Sequence, residues 1–188
     1  SELKQLFGRV DLEYRKDHAE QLLKFRPNLL NGCTYYIRKA DFKKAYEFGE
    51  AYMDCARQPL FSAYRLDSTD TRMPEAAYWT TYSGYRQGHP VLTLRYRKEA
   101  LRDSARAEYT LQYMAEARRQ LKDDSLYLET LREGFRRNPT SSYFFPHLMD
   151  FYTTRGDNEK ALKTVDRAMQ CNDSSLLYLY AKTTVLFN

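Results

Sequence analysis

The chain has 188 residues, 43% hydrophobic and 29% charged, with a formal net charge of +5, a length and mix compatible with one domain. Its longest apolar run, 176–181, has six residues, against the roughly eighteen that a membrane-crossing helix needs, so a transmembrane helix is excluded. No signal peptide is visible. The first residue is Ser1 rather than Met, which leaves open a cytoplasmic place and, if a leader has been removed, a periplasmic or secreted one.

Residues 1–25 read as one or two helices. Leu3, Leu6, Phe7 and Val10 fall on one side, and Asp17 with Glu20 makes a capping box for a short helix ending near Phe25. Residues 26–59 hold helical stretches on either side of Ala40-Asp41-Phe42. The polar, aperiodic string from Leu66 to Thr71 makes 60–73 an insert loop with 67–71 exposed. Loops of that length between packed helices are uncommon. Pro74 and Glu75 suit the first turn of a new helix, and Gly88-His89-Pro90 divides 74–107 into two helices. Residues 108–141 turn at Lys122-Asp123-Asp124. In 142–175 an aromatic-rich helix is broken by Arg155-Gly156-Asp157, where Gly156 permits the tight turn and Asp157 caps the next helix. Residues 176–188 form one more helix.

Three apolar columns run through these segments at a spacing of 34: Leu94, Leu128 and Leu162; Leu101, Phe135 and Met169; Leu111, Phe145 and Leu179. A fixed period of this size marks stacked supersecondary units, none of which can bury its apolar face alone. Within 142–175, Phe144, Phe145, Leu148, Phe151 and Tyr152 fall at helical steps, as do Ala161, Leu162, Val165, Ala168 and Met169. The unit is a helical hairpin.

This unit resembles a tetratricopeptide (TPR) repeat, with Phe145, Leu148, Tyr152, Gly156-Asp157, Ala161 and Ala168 at the places of that family's pattern. The segment 108–141 is a degenerate copy, with Pro139 at the closing place but Tyr127 and Gly134 at the two alanine places. In 26–59, Tyr36, Asp41 and Ala45 match Tyr152, Asp157 and Ala161 at an offset of 116, which is three periods of 34 plus the 14 residues of 60–73. The resemblance implies an all-α, right-handed solenoid of helical hairpins. Its repeats are 26–59, 74–107, 108–141 and 142–175, with 176–188 as the first helix of an incomplete fifth. The joint Asn-Pro-x-Ser-Ser-Tyr-Phe-Phe at 138–145 resembles those of bacterial secreted or envelope repeat proteins.

Chemistry is absent from the sequence as far as motifs reach. His18, His89 and His147 stand apart, no Cys-x-x-Cys occurs, and the seven glycines form no phosphate loop. The expectation is therefore a non-enzyme without cofactor or metal. Cys33, Cys55 and Cys171 make an odd count, and Cys55 and Cys171 lie 116 apart at equivalent repeat places, which favours packing over reactivity. Basic residues exceed acidic ones by eleven to nine in 1–59 and by eight to five in 60–107, while 108–188 carries eleven of each.

The seventeen tyrosines point to binding. In TPR proteins the first helix of each hairpin lines a concave groove. Carried onto this sequence, that face selects Tyr78, Tyr82, Tyr85, Arg86, Tyr109, Gln112, Arg119, Tyr143, Asp150 and Tyr180. Tyrosine and arginine dominate binding hot spots because each joins large contact area to a polar group. The family's clamp for a terminal carboxylate is missing, since Leu30, Thr34, Tyr78 and Tyr82 occupy its places. The expected function is a scaffold for a protein or peptide. The alternative is an anionic polymer, RNA or an acidic glycan, on the basic and aromatic stretch 82–106. Apolar residues of 176–188, among them Leu176, Leu177, Leu179, Val185, Leu186 and Phe187, fall on more than one helical face and predict self-association.

Overall fold

The computed structural model describes the backbone of residues 2–187 and the side chains of 16–187; the expected apolar face at Leu3, Leu6, Phe7 and Val10 lies outside the latter. Among the described residues every regular element is a helix, so the protein is all-α. None of these helices is long and apolar enough to cross a membrane. The chain divides into two compact units, Ser1–Asp103 and Ser104–Asn188.

Unit 1 opens on α1 (Glu2–Arg38), a single helix of 37 residues. The expected end near Phe25 and the capping box at Asp17 and Glu20 are not found, because all three residues lie within the helix. Pro27 removes a backbone donor and ordinarily breaks a helix. Here tertiary packing holds both sides of it, with Ala19, Leu30 and Cys33 buried. The helix α2 (Phe42–Cys55) packs on α1 and on the helix Met73–Arg86, with Ala45, Tyr46, Tyr52 and Met53 buried.

The segment 60–73 is not the expected loop. A 3-10 turn, Pro59–Tyr64, is followed by the short α3 (Leu66–Thr69). Arg65, at φ 48°, turns the chain between them, so Phe61 and Leu66 both pack against Ala19. Asp67, Ser68, Thr69 and Thr71 are exposed, but Asp70 is partly covered. Its carboxylate lies 2.5 Å from the Arg26 guanidinium and accepts the Tyr52 hydroxyl at 2.7 Å. Arg26 in turn stands 3.7 Å from the centre of the Tyr52 ring. A buried cation requires a paired anion, and the segment supplies one.

The rest of unit 1 is α4 (Met73–Arg86), α5 (Pro90–Arg95) and α6 (Arg97–Ala100). The second helix expected in 74–107 is thus split in two at Tyr96, whose ring is fully buried and whose hydroxyl donates to Asp54 at 3.0 Å. Gly84 allows α4 and α5 to approach closely, since a Cβ there would lie 2.7 Å from the Thr93 nitrogen.

Unit 2 consists of α7 (Ala107–Gln120), α8 (Asp124–Arg137), α9 (Phe144–Thr154), α10 (Asn158–Cys171) and α11 (Leu176–Phe187). Consecutive helices pack on each other around Leu111, Met114, Leu131, Phe135, Phe144, Phe145, Leu148 and Val165. Ala161 and Ala168 are fully buried on α10, and Pro139 is half-buried between α8 and α9. On α11 only Tyr178 and Val185 are buried, while Leu176 is 82% and Phe187 85% exposed.

One turn recurs through the chain. Ala40, Gly88, Lys122 and Gly156 all have left-handed backbone, at φ 57°, 66°, 56° and 69°. They are separated by 48, 34 and 34 residues, which is the sequence period with 14 residues added once. In each turn the next residue donates its N–H to the carbonyl five back: Asp41 to Tyr36, His89 to Gly84, Asp123 to Arg118 and Asp157 to Tyr152. That bond and the left-handed residue are a Schellman stop. Asp41, Asp123 and Asp157 then cap the next helix by accepting from Lys44, Leu126 and Lys160.

The cysteines separate. Cys33 is buried, Cys55 half-buried and Cys171 exposed, and all three are free thiols. The expected shared packing role at Cys55 and Cys171 therefore fails for Cys171, which is exposed at the end of α10. Burial pushes the Cys33 thiol up to about 12, so it stays protonated and behaves as a small apolar side chain.

Candidate functional site

Four of the ten residues selected for binding belong to α4 in unit 1. Tyr78 is 6% exposed, its ring edge-on to Trp79 at 4.8 Å, so it packs the interior instead of facing a groove. Tyr82 and Tyr85 are half-buried. The Tyr82 ring meets Phe42 of α2 edge-on at 5.9 Å. Arg86 covers Phe42 at 4.3 Å and donates to the Tyr82 hydroxyl at 2.6 Å. These contacts hold α4 to α2. Three further cations of 82–106 are also engaged: Arg95 pairs with Glu50 and Asp54, Arg97 donates to the Leu94 carbonyl and Arg102 to the Asp67 carbonyl.

The other six belong to unit 2, where a connected polar face forms. Alternation on α7 buries Thr110, Leu111, Met114, Ala115 and Ala117. The opposite side carries Glu108, Gln112, Glu116 and Arg119, at three- and four-residue steps on one stripe. Tyr109, beside that stripe, is exposed. Tyr143, the residue before α9, donates its hydroxyl to Glu116 at 2.8 Å. Arg119 grips the other Glu116 oxygen at 2.7 and 3.2 Å. Ser141 donates to Glu108 at 2.7 Å, and Gln112 reaches the same oxygen at 3.3 Å. His147 stacks on Tyr143 with ring centres 4.1 Å apart. Its Nδ1 lies 2.7 Å from the Tyr143 carbonyl oxygen, an acceptor only, so Nδ1 carries the proton.

Electrostatics lock this face in one state. Burial pushes Glu116 upward, but the hydrogen bonds from Arg119 and Tyr143 outweigh it and hold the carboxyl below the usual range. Tyr143 is raised, first by burial and then by its bond to the Glu116 carboxylate. At neutral pH Glu116 is therefore an anion and Tyr143 a neutral donor. That pairing fixes the orientation of both side chains. Burial, and after it the Glu116 charge, raise Tyr127 on α8, which also feels Arg119 and the exposed Asp150 of α9.

The Tyr143 N–H donates to the Ser141 hydroxyl at 3.4 Å, which joins Gln112, Arg119 and Tyr143 in one network, with Asp150 and Tyr109 on the same helices. Tyr180 is 73% exposed on α11, and among the described residues no side-chain bond ties it to that network. Sequence reasoning passed over Glu108, Glu116, Ser141 and His147. The four-residue spacing of Glu108, Gln112 and Glu116 was the available signal. Among the described residues no group of three or more His, Cys, Asp or Glu is placed to hold a metal ion. No family model matches this chain, and no curated protein matches it.

Proposed function

We propose that this protein is an interaction scaffold: a right-handed solenoid of TPR-like hairpins, without catalytic activity, that holds a protein segment or peptide on the α7 and α9 face of unit 2. The recurring Schellman turn, with its spacing of 34, supports the repeat reading. The observation that carries the binding reading is the Tyr143–Glu116–Arg119 arrangement, at 2.8 and 2.7 Å. A carboxylate already fixed by two partners orders an arginine and a tyrosine before any ligand arrives, which lowers the entropic cost of binding. Exposed Tyr109 adds amphipathic contact area beside it. A peptide backbone offers the donors and acceptors that Gln112, Arg119 and Asp150 can satisfy.

Support for the alternative, an anionic polymer on 82–106, is thinner, because Arg86, Arg95, Arg97 and Arg102 are already committed to aromatic, carboxylate or carbonyl partners. The test is selection of a displayed random-peptide library on the full chain. The selected peptides should lose binding to a Tyr109→Ser, Arg119→Ala variant and change little between low and moderate salt. Peptides insensitive to both substitutions would refute the assigned face. A steep salt dependence would favour the polymer reading.

A further inference from the structure

The helices α8 and α10 wall a second groove of unit 2, of about 420 Å³. Five cations line it, Arg132 and Arg136 from α8 and Lys160, Lys163 and Arg167 from α10, and no acidic side chain does. Its floor is apolar, with Phe135 and Tyr152 buried beneath. Carboxylates stand only at the margin: Glu133 pairs with Arg136 at 2.8 Å, Asp157 with Lys160 at 2.5 Å, and Glu159 with Lys163 at 2.5 Å. These are exposed pairs between residues three or four apart, a kind that contributes little to stability. A ligand carboxylate can therefore take over such a cation at small cost.

The two remaining cations make no ion pair among the described residues. Arg132 donates from Nε to the Tyr152 hydroxyl at 2.8 Å, and Asp157 lies near enough to feel its charge. The Arg167 guanidinium lies 5.8 Å from the centre of the Phe135 ring. Both are positioned by aromatic neighbours and keep terminal N–H donors for a planar anion, the geometry in which arginine binds carboxylate best.

We propose that this groove, separate from the α7 and α9 face and independent of it, binds an extended acidic peptide with carboxylates on successive residues. Residues four apart on a helix are displaced by about 6 Å along its axis, which is the offset of Arg132 and Arg136. Alternate side chains of an extended strand repeat at about 6.6 Å. Odd-numbered carboxylates of the peptide then reach Arg132 and Arg136, and even-numbered ones reach Lys160, Lys163 and Arg167 across the groove. A single-stranded nucleic acid is the poorer fit. Its bases need exposed aromatic faces to stack on, and the rings of this groove are buried, with arginines beside them.

Fluorescence anisotropy of a fluorescein-labelled hexaglutamate peptide with the full chain tests this. Hexaglutamate should bind at least tenfold tighter than hexaglutamine at low salt. Arg132→Gln with Arg167→Gln should weaken it at least fivefold, and so should Arg136→Gln with Lys163→Gln, whose side chains are 59% and 73% exposed and tolerate change. Arg119→Ala on the other face should leave it unchanged. Equal binding of hexaglutamine, indifference to both double variants, or tighter binding of a hexauridine RNA would each overturn the proposal.

Discussion

Gly156 and Lys122 occupy the same place in two turns but differ in side chain, and this yields opposite predictions from one cause. A Cβ built at Gly156 meets nothing within 4 Å, so Gly156→Ala creates no clash and acts through backbone conformation alone. Left-handed backbone costs an L-residue about 1–2 kcal/mol. The unfolded chain returns about 0.4–1 kcal/mol of this, because alanine has less freedom to lose than glycine. The net destabilisation is about 1 kcal/mol. At Lys122, φ 56° is already carried by a side chain that is exposed. Lys122→Gly therefore relieves the same strain and gives back the same entropy, a net stabilisation of about 0.5–1 kcal/mol. Urea denaturation followed by far-UV circular dichroism reads both, as midpoint shifts of about half a molar in opposite directions with unchanged slope. A neutral Gly156→Ala together with a destabilising Lys122→Gly would refute the common left-handed stop.

Asp70→Asn strands the buried Arg26 without its counter-charge and should cost on the order of 3 kcal/mol by the same denaturation assay. Burial raises the Asp70 carboxyl, but hydrogen bonds from Tyr52, Arg26 and the Arg72 N–H bring it below its usual value. Its stabilisation is thus complete above the unfolded value of about 4 and is lost as pH falls through the depressed folded one. A titration of stability from neutral to acid pH should be flatter in Asp70→Asn than in the natural chain. Gly134→Ala places a Cβ 2.2 Å from the buried Phe144 ring, and overpacking of this kind costs about 1–3 kcal/mol. Calorimetry should show a matching loss of melting temperature, whereas an unchanged Tm would mean that α8 and α9 do not meet there. Leu176 and Phe187 on α11 are exposed apolar side chains that we expect to drive self-association. Leu176→Ser with Phe187→Ser should lower the mass seen in sedimentation velocity, and a natural chain that is monomeric at every concentration would remove the basis for that expectation.

What the amino-acid sequence determined by itself is local. A left-handed residue followed by aspartate encodes both the stop of one helix and the start of the next within a few residues, and no distant partner is needed at Gly156-Asp157 or Lys122-Asp123. Ala161 and Ala168, seven residues apart, likewise mark the buried stripe of α10 on their own. The tertiary structure decided whatever depends on contacts far along the chain. Pro27 reads as a break, yet α1 continues because Leu30, Cys33 and Ala19 are buried and Arg26 is anchored 44 residues away at Asp70. The polar string 66–71 reads as a loop, and that same ion pair pulls it into the structure. Tyr78 reads as a groove residue but is buried, its ring edge-on to Trp79. An even count of charges in 108–188 concealed the sorting of five cations into one groove, because helix packing, not composition, determines which face each charge occupies.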